Sequence, residues 1–159
     1  MSEERGEGRY LEDYAEGEMM ISRPYTLSRR EIIAFARAYD TQPIHIDEDY
    51  AATDGPFDGI IASGFQTVAL AFRLFTEAGF LDGDVSFGGP GMDDVRWLAP
   101  VYPDDTLTNH ITILEARRSS SKPDRGILKV GHDLRNQHGS SATTCSTVTI
   151  IRSRTIPEA

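Results

Sequence analysis

The sequence predicts a single α+β domain in which an antiparallel sheet packs on one apolar helix. Its 159 residues match the usual size of one domain. One long apolar stretch covers residues 60–81, and after Gly79 the chain alternates with a period of two residues between turn-rich links. The apolar helix needs a cover, and the apolar face of the sheet needs a partner. Packing one on the other satisfies both requirements.

Most of the chain is expected to form this one domain. Residues 1–17 are charged and predict a loosely ordered lead-in, residues 18–154 the domain, and residues 155–159 a tail. The acidic N-terminus lacks the apolar core of a signal peptide. The single cysteine, Cys145, cannot form an internal disulfide and is typical of a reducing compartment. The sequence therefore predicts a cytoplasmic protein.

The N-terminal third predicts a strand and a short helix. Residues 19–27 are strand-like, and Pro24 favours a sheet edge. The run Ser28-Arg-Arg-Glu31 has the pattern of a capping box, and apolar residues recur behind it at helical spacing. This pattern predicts a helix over Arg29–Tyr39. Pro43 is expected to stop it, because the residue before a proline is pushed out of helical geometry.

A loop region with an acidic turn at 47–50 and a Gly/Pro segment at 54–59 leads to the apolar stretch. We expect a helix there over residues 63–78. The stretch is long enough to span a membrane. However, it carries Arg73 and Glu77, and charges at membrane depth are costly. The stretch is therefore interpreted as a helix buried in the protein core.

Four period-two segments follow the helix and predict four strands, at residues 95–101, 107–117, 127–136 and 142–152. Short turns join them, which makes neighbouring strands antiparallel. In the second segment, Leu107, Ile111 and Ile113 alternate with threonine and histidine. This alternation indicates a sheet with one buried face.

The charge balance argues against two classes of partner. Sixteen Lys and Arg residues stand against 25 Asp and Glu, for a formal net charge of −9. A chain this acidic is repelled by a nucleic-acid backbone and by an anionic membrane surface. We therefore expect neither as a partner.

The turn after the short helix holds two candidate catalytic residues. Asp40 and His45 lie five positions apart in Asp40-Thr-Gln-Pro-Ile-His45, and Pro43 stiffens the segment between them. A turn can aim both side chains at one point. An Asp beside a His can hold a water molecule and move its proton. In the alternative interpretation, Asp40 only caps the turn that follows it.

The start of the apolar helix is the second candidate site, with the sequence Ile61-Ala62-Ser63-Gly64. A helix N-terminus offers unpaired amides and a partial positive charge, which suit an oxyanion. Gly64 has no side chain, so a ligand carbonyl could approach its amide closely. In the alternative interpretation, Ser63 is an ordinary N-cap and Gly64 permits close packing.

Together these residues resemble the signature of the MaoC-like dehydratases, the (R)-specific enoyl-CoA hydratase family. The resemblance covers roughly residues 18–154 and implies a hot-dog fold, in which an antiparallel sheet wraps a long central helix. The matching pieces are Asp40-x-x-Pro43-x-His45-x-Asp47, Ala51-Ala52, Gly59-Ile-Ile-Ala-Ser-Gly64, residues 91–101 and Pro103-x-Asp105-Thr106.

The resemblance also implies roles for individual residues. Asp40 and His45 match the catalytic dyad of the family, and Gly64 matches the glycine whose amide binds the thioester oxygen. Neighbouring residues are expected to contact the substrate, namely Gln42, Pro43 and Ser63. The sequence departs from the family pattern at two of these positions, because Gln42 stands where Asn is common and Ser63 where His often precedes the glycine.

Arg117, Arg118 and Lys122 belong to the only basic cluster of this acidic sequence. They are either the solvated end of a hairpin or contacts for the phosphates of coenzyme A, to which arginine can bind in a bidentate manner. The remaining histidines, His110, His132 and His138, lack metal-ligand spacing. No metal is expected, and no cofactor other than the coenzyme A of the substrate itself.

The expected activity is reversible hydration of an enoyl-CoA, or dehydration of a 3-hydroxyacyl-CoA, by a homodimer or larger homo-oligomer that joins its sheets edge to edge. Two alternatives stay open. One is an acyl-CoA thioesterase, because hot-dog folds host both chemistries. The other is a non-catalytic subunit that binds acyl-CoA or an acyl carrier. An Asp and a His in one turn favour hydration.

Overall fold

The computed structural model of the protein describes residues 8–81 and 85–154. These residues form six strands and four α-helices, and a single 3-10 turn precedes them at Leu11–Asp13. The helices are α1 (Arg29–Tyr39), α2 (Pro43–Ile46), α3 (Glu48–Thr53) and α4 (Gly64–Glu77). The strands are β1 (Met19–Ile21), β2 (Tyr25–Thr26), β3 (Gly91–Trp97), β4 (Thr106–Arg118), β5 (Arg125–Arg135) and β6 (Ser141–Arg152).

All strand pairs in the sheet are antiparallel, as the short turns predict. The strand order is β1-β4-β5-β6-β3, and β2 pairs with the first residues of β4. The long strands β4, β5 and β6 form the centre of the sheet. In the described part of the chain, β3 pairs on one side only, with β6, and is therefore an edge strand.

Helix α4 lies on one face of this sheet and contacts its three central strands. Every second residue of β5 is buried, including Leu128, Val130 and Leu134. From the helix, Leu74 and Phe75 are fully buried. Burying such a side chain contributes about 1.5–3 kcal/mol. The predicted packing of one apolar helix on an antiparallel sheet is confirmed.

Helix α1 has the predicted bounds, and its capping box is present. The Ser28 hydroxyl accepts a hydrogen bond from the Glu31 amide, and the Glu31 carboxylate accepts one from the Ser28 amide at 2.9 Å. The helix ends at Tyr39, and Gln42, the residue before Pro43, is extended as expected. Pro43 itself begins α2, which the sequence did not predict, because the first turn of a helix does not use the N–H that proline lacks.

Three other boundaries differ from expectation. Residues 19–27 form two short strands rather than one, and the acidic turn at 47–50 is the start of α3, with Asp47 as its N-cap. The strand expected at 95–101 begins at Gly91 and ends at Trp97. Its first three residues pair regularly with β6, and a bulge follows between Asp93 and Arg96, in which Asp94 has a φ of 54°. A bulge of this kind disrupts the alternation by which strands are recognised.

The expected loose lead-in is wrong for residues 8–17. Leu11 and Tyr14 are buried against the sheet. Leu11 packs on Gly126 so closely that a Cβ there would lie 2.4 Å from the leucine side chain. Residues 1–7 and the expected tail at 155–159 lie outside the described residues. Over the described ranges, no helix combines the length and the apolarity needed to cross a membrane.

Candidate active site

A pocket of about 350 Å³ opens at the N-terminal end of α4. Asp40, His45 and Gly64, which lie in three separate elements, all line it. Most of its remaining wall is apolar, from Ile44, Phe57, Ile61, Ala62, Phe65, Trp97, Leu98, Ala99, Pro100 and Val101. A largely apolar pocket with a few convergent polar groups is the usual form of a small-molecule site.

The two residues of the predicted dyad contact each other inside this pocket. Asp40 is the C-cap of α1, and His45 is the third residue of α2. The chain turns at Pro43 between them, and His45 Nε2 lies 3.3 Å from Asp40 Oδ2. The proline-containing turn therefore aims both side chains at one point, as the spacing predicts.

A hydrogen bond at Nδ1, the second ring nitrogen, orients His45. The side chain is buried, with 4% of the residue exposed. Nδ1 lies 2.8 Å from the carbonyl oxygen of Ile61. A carbonyl oxygen can only accept, so Nδ1 carries the hydrogen. Nε2 is then an acceptor in the neutral imidazole and is the nitrogen that can exchange a proton in the pocket.

Asp40 receives hydrogen bonds on both of its carboxylate oxygens. The Ser63 hydroxyl donates to Oδ2 at 2.6 Å, and Gln42 Nε2 donates to Oδ1 at 2.8 Å. Burial raises the pKa of Asp40, but the hydrogen bonds from Ser63 and Gln42 outweigh it and hold the pKa below its usual value. Asp40 is therefore a carboxylate at neutral pH.

The start of α4 combines a capped helix with a free amide. Ser63 is the N-cap, and its hydroxyl accepts a hydrogen bond from the Phe65 amide at 3.3 Å. Gly64 is the first residue of the helix, and no acceptor among the described residues takes its amide hydrogen. A Cβ on Gly64 would lie 2.3 Å from the Trp97 ring. The N-cap and the close packing are both present beside an amide that a ligand could use.

Of the other predicted contact residues, Ser63 and Pro43 lie outside the pocket wall and Gln42 lies in it. Ser63 is fully buried and turned onto Asp40, whereas Pro43 shapes the turn without lining the pocket. Gln42 does line the pocket, while its amide holds Asp40.

The structure does not bring the basic cluster to the pocket. Arg118 of β4 pairs with Gly126 of β5, which pairs with Ile151 of β6. Thr143, at the other end of β6, lines the pocket. The basic cluster is therefore separated from the pocket by roughly the 26 Å of strand between Ile151 and Thr143. Arg117 and Arg118 form ion pairs with Glu115 and Glu12, and Lys122 is exposed. Their contact with coenzyme A phosphates stays a prediction.

Sequence reasoning missed the aromatic side of the pocket. The rings of Phe65 and Trp97 meet edge to face, 5.8 Å apart, and 63% and 54% of these residues are exposed. The position of Phe65 beside Gly64 was a signal that the residue lies near the site. No local pattern could indicate Trp97, because its contact with Gly64 joins distant parts of the chain.

Comparison with known proteins identifies the family. The family model described as "MaoC like domain" matches residues 13–135. The chain belongs to the MaoC-like domain family. It is 36% identical to the uncharacterized protein YdeM of Bacillus subtilis over 120 residues, which are 76% of this chain and 82% of YdeM. It is 32% identical to the (R)-specific enoyl-CoA hydratase of Rhodospirillum rubrum over 113 residues, 65% of this chain and 69% of that enzyme.

A solved structure supports the same assignment. The MaoC-like dehydratase from Rhodospirillum rubrum superposes with a TM-score of 0.84 at 32% identity, covering 93% of this chain and 99% of that one. The hot-dog fold and the resemblance to MaoC-like dehydratases are therefore confirmed. In this MaoC-like domain, no group of three metal-ligating side chains occurs among the described residues.

Proposed function

We propose that this MaoC-like protein is a hydro-lyase that adds water reversibly to the double bond of an enoyl-CoA. The 3.3 Å contact between His45 Nε2 and Asp40 Oδ2, in an apolar pocket beside the start of α4, carries the proposal. The similarity to an (R)-specific enoyl-CoA hydratase supports it. The coenzyme A of the substrate is the only non-protein group that the reaction needs.

The protonation of the pair suits a bound water molecule. Because Ile61 holds the hydrogen on His45 Nδ1 and Asp40 is ionised, Nε2 and Oδ2 are both acceptors. A water molecule that lies beside the pair and contacts both atoms can donate one hydrogen to each, which leaves a lone pair of its oxygen for the substrate. One member of the pair accepts the proton as the water oxygen bonds to the β-carbon.

The start of α4 suits the charge that the reaction develops. When the water oxygen bonds to the β-carbon of the thioester, electrons move from the double bond towards the carbonyl oxygen. The Gly64 amide has no protein acceptor among the described residues, and the helix end adds a partial positive charge. Both stabilise the enolate oxygen. A proton delivered from the dyad to the α-carbon completes the addition.

A second copy of the chain is proposed to complete the pocket. The edge strand β3 has no described partner on its outer side. Beside it, on α4 and around β3, lie exposed apolar residues: Phe65, Phe72, Met92, Trp97 and Leu98. An unpaired edge with an apolar patch is a surface that another chain can cover. A homodimer or larger homo-oligomer joined at this edge would cover Phe65, Trp97 and Leu98, which also belong to the pocket wall.

One assay separates this function from its alternatives. A short-chain trans-2-enoyl-CoA is incubated with the protein, and the enoyl thioester absorbance and the free thiol are followed together. Hydration lowers the absorbance without releasing thiol. Thiol release without prior hydration would instead show a thioesterase, and binding without either change would show a subunit that only holds the acyl group.

A further inference from the structure

The hydroxyl of Ser63 contacts the proposed dyad rather than the pocket. Ser63 is fully buried. Its oxygen accepts from the Phe65 amide at 3.3 Å, while its hydrogen goes to Asp40 Oδ2 at 2.6 Å. The acceptor side of the hydroxyl is therefore fixed by the helix, and its donor side points at the carboxylate. Capping the helix alone does not need this second contact.

The two oxygens of Asp40 have different surroundings. Oδ1 receives the Gln42 amide at 2.8 Å. Oδ2 receives the Ser63 hydroxyl and also lies against His45 Nε2. Two donors on opposite oxygens fix the plane of the carboxylate, and charge-assisted hydrogen bonds of this kind are stronger than neutral ones. The oxygen that faces His45 is thus held in place by Ser63.

We propose that Ser63 is a positioning residue for the hydration reaction: its hydroxyl holds Oδ2 of Asp40 against His45, and Gln42 assists from the other oxygen. This inference rests on the proposed function of the dyad. It replaces the substrate contact that the family resemblance implies for Ser63. The hydroxyl also links the dyad to α4, the helix that supplies the Gly64 amide.

The surroundings of Asp40 make its titration a clear readout. The turn after α1 contributes Gln42, α2 contributes His45, and the start of α4 contributes Ser63. Among the described residues, His45 is the titratable side chain whose charge acts on the carboxylate, and its Nε2 lies 3.3 Å from Oδ2. A change of pKa at Asp40 on replacing Ser63 therefore reports the loss of the hydroxyl, provided that His45 titrates as before.

The experiment compares Ser63→Ala with the wild type in two ways. The Asp40 carboxyl carbon, identified by its loss in Asp40→Asn, is titrated by ¹³C NMR, and the His45 ring is followed in parallel. The pH profile of kcat/KM is measured with a short-chain enoyl-CoA. Because the carboxylate is the active form, loss of a donor should move the acidic limb upward by about one pH unit. The NMR titration should move in the same direction.

Two further variants isolate the role of the hydroxyl. Ser28→Ala removes the N-cap of α1 without touching the dyad, so it should lose similar stability and keep the wild-type pH profile. Gln42→Ala, at an exposed position, should also shift the pKa of Asp40 upward. If Ser63→Ala does not fold, this variant tests whether hydrogen bonds to the carboxylate set its pKa.

The outcomes separate this inference from the proposed function. An unchanged Asp40 titration in folded Ser63→Ala would overturn the positioning role of Ser63, whatever the activity and whatever the result for Gln42→Ala. If the wild type fails to hydrate enoyl-CoA, the proposed function is wrong. In that case the NMR comparison still decides whether the Ser63 hydroxyl stabilises the Asp40 carboxylate.

Discussion

The indole of Trp97 lies on Gly64 so closely that a methyl group added to the glycine would stand 2.3 Å from Cε2 of the ring. The glycine is therefore required for packing, independently of any ligand. Its amide is still without a described acceptor. Packing and oxyanion binding thus make separate demands on the same residue, and the two can be tested separately.

Replacing Gly64 by alanine is expected to lower both stability and kcat/KM. The methyl group displaces Trp97, and overpacking of this kind costs about 1–3 kcal/mol. In the double variant Gly64→Ala/Trp97→Ala, stability should recover in part because the clash is removed. Thermal unfolding and hydration kinetics of both variants check this. A Gly64→Ala protein as stable as the wild type would show that the packing of the Trp97 ring does not require a glycine at position 64.

The buried His132 is expected to make the fold sensitive to acid. Burial lowers the pKa of His132 from its ordinary 6.5 to about 4. Between these values the unfolded chain binds the proton and the folded protein does not, so stability falls as pH decreases from about 6.5 and levels off below about 4. From pH 7 to pH 5 this residue alone should remove roughly 2 kcal/mol from the free energy of unfolding.

Urea unfolding at pH 7 and pH 5 tests this prediction. His132→Gln should lose less stability between the two pH values than the wild type does. His138→Gln is the matched control, because His138 is exposed and its replacement should leave the wild-type difference unchanged. If His132→Gln and the wild type lose the same free energy of unfolding between pH 7 and pH 5, another group causes the acid sensitivity.

Association through the β3 edge is expected to depend on Met92. Light scattering of the wild type should give a dimer or a larger assembly. Met92→Arg places a charge on the exposed patch and should shift the protein towards monomer. Met19→Arg, at an exposed residue of the opposite edge strand β1, should leave the mass unchanged. A monomeric wild type with full activity would contradict the proposed shared pocket.

The predictions that succeeded rest on local signals. The capping box at Ser28 and the apolar spacing behind it determine α1, and strong alternation determines β4, β5 and β6. The start of β3 is missed because it carries two adjacent aspartates and a bulge follows Asp93. Leu11 and Tyr14 are missed because they are isolated in an acidic segment.

The dyad could be predicted because Asp40 and His45 share one turn. Other contacts of the site could not. The hydrogen bond from Ser63 to Asp40 crosses 23 positions of the chain, and the contact of Trp97 with Gly64 crosses more. Only the tertiary fold places such residues together. The interpretation of Ser63 as a substrate contact therefore rested on the family pattern, which cannot show that its hydroxyl points at Asp40.

The hydration rate of the dyad variants tests the proposed function most directly. Asp40→Asn and His45→Ala should each lower kcat/KM for a short-chain enoyl-CoA by about a hundred-fold or more, with thermal unfolding close to that of the wild type. The double variant should lose far less than the product of the single losses, because both residues act on one water molecule. Asp58→Asn and His138→Ala, at positions away from the dyad, should keep wild-type rates. Near-normal turnover in either folded dyad variant would contradict the assignment.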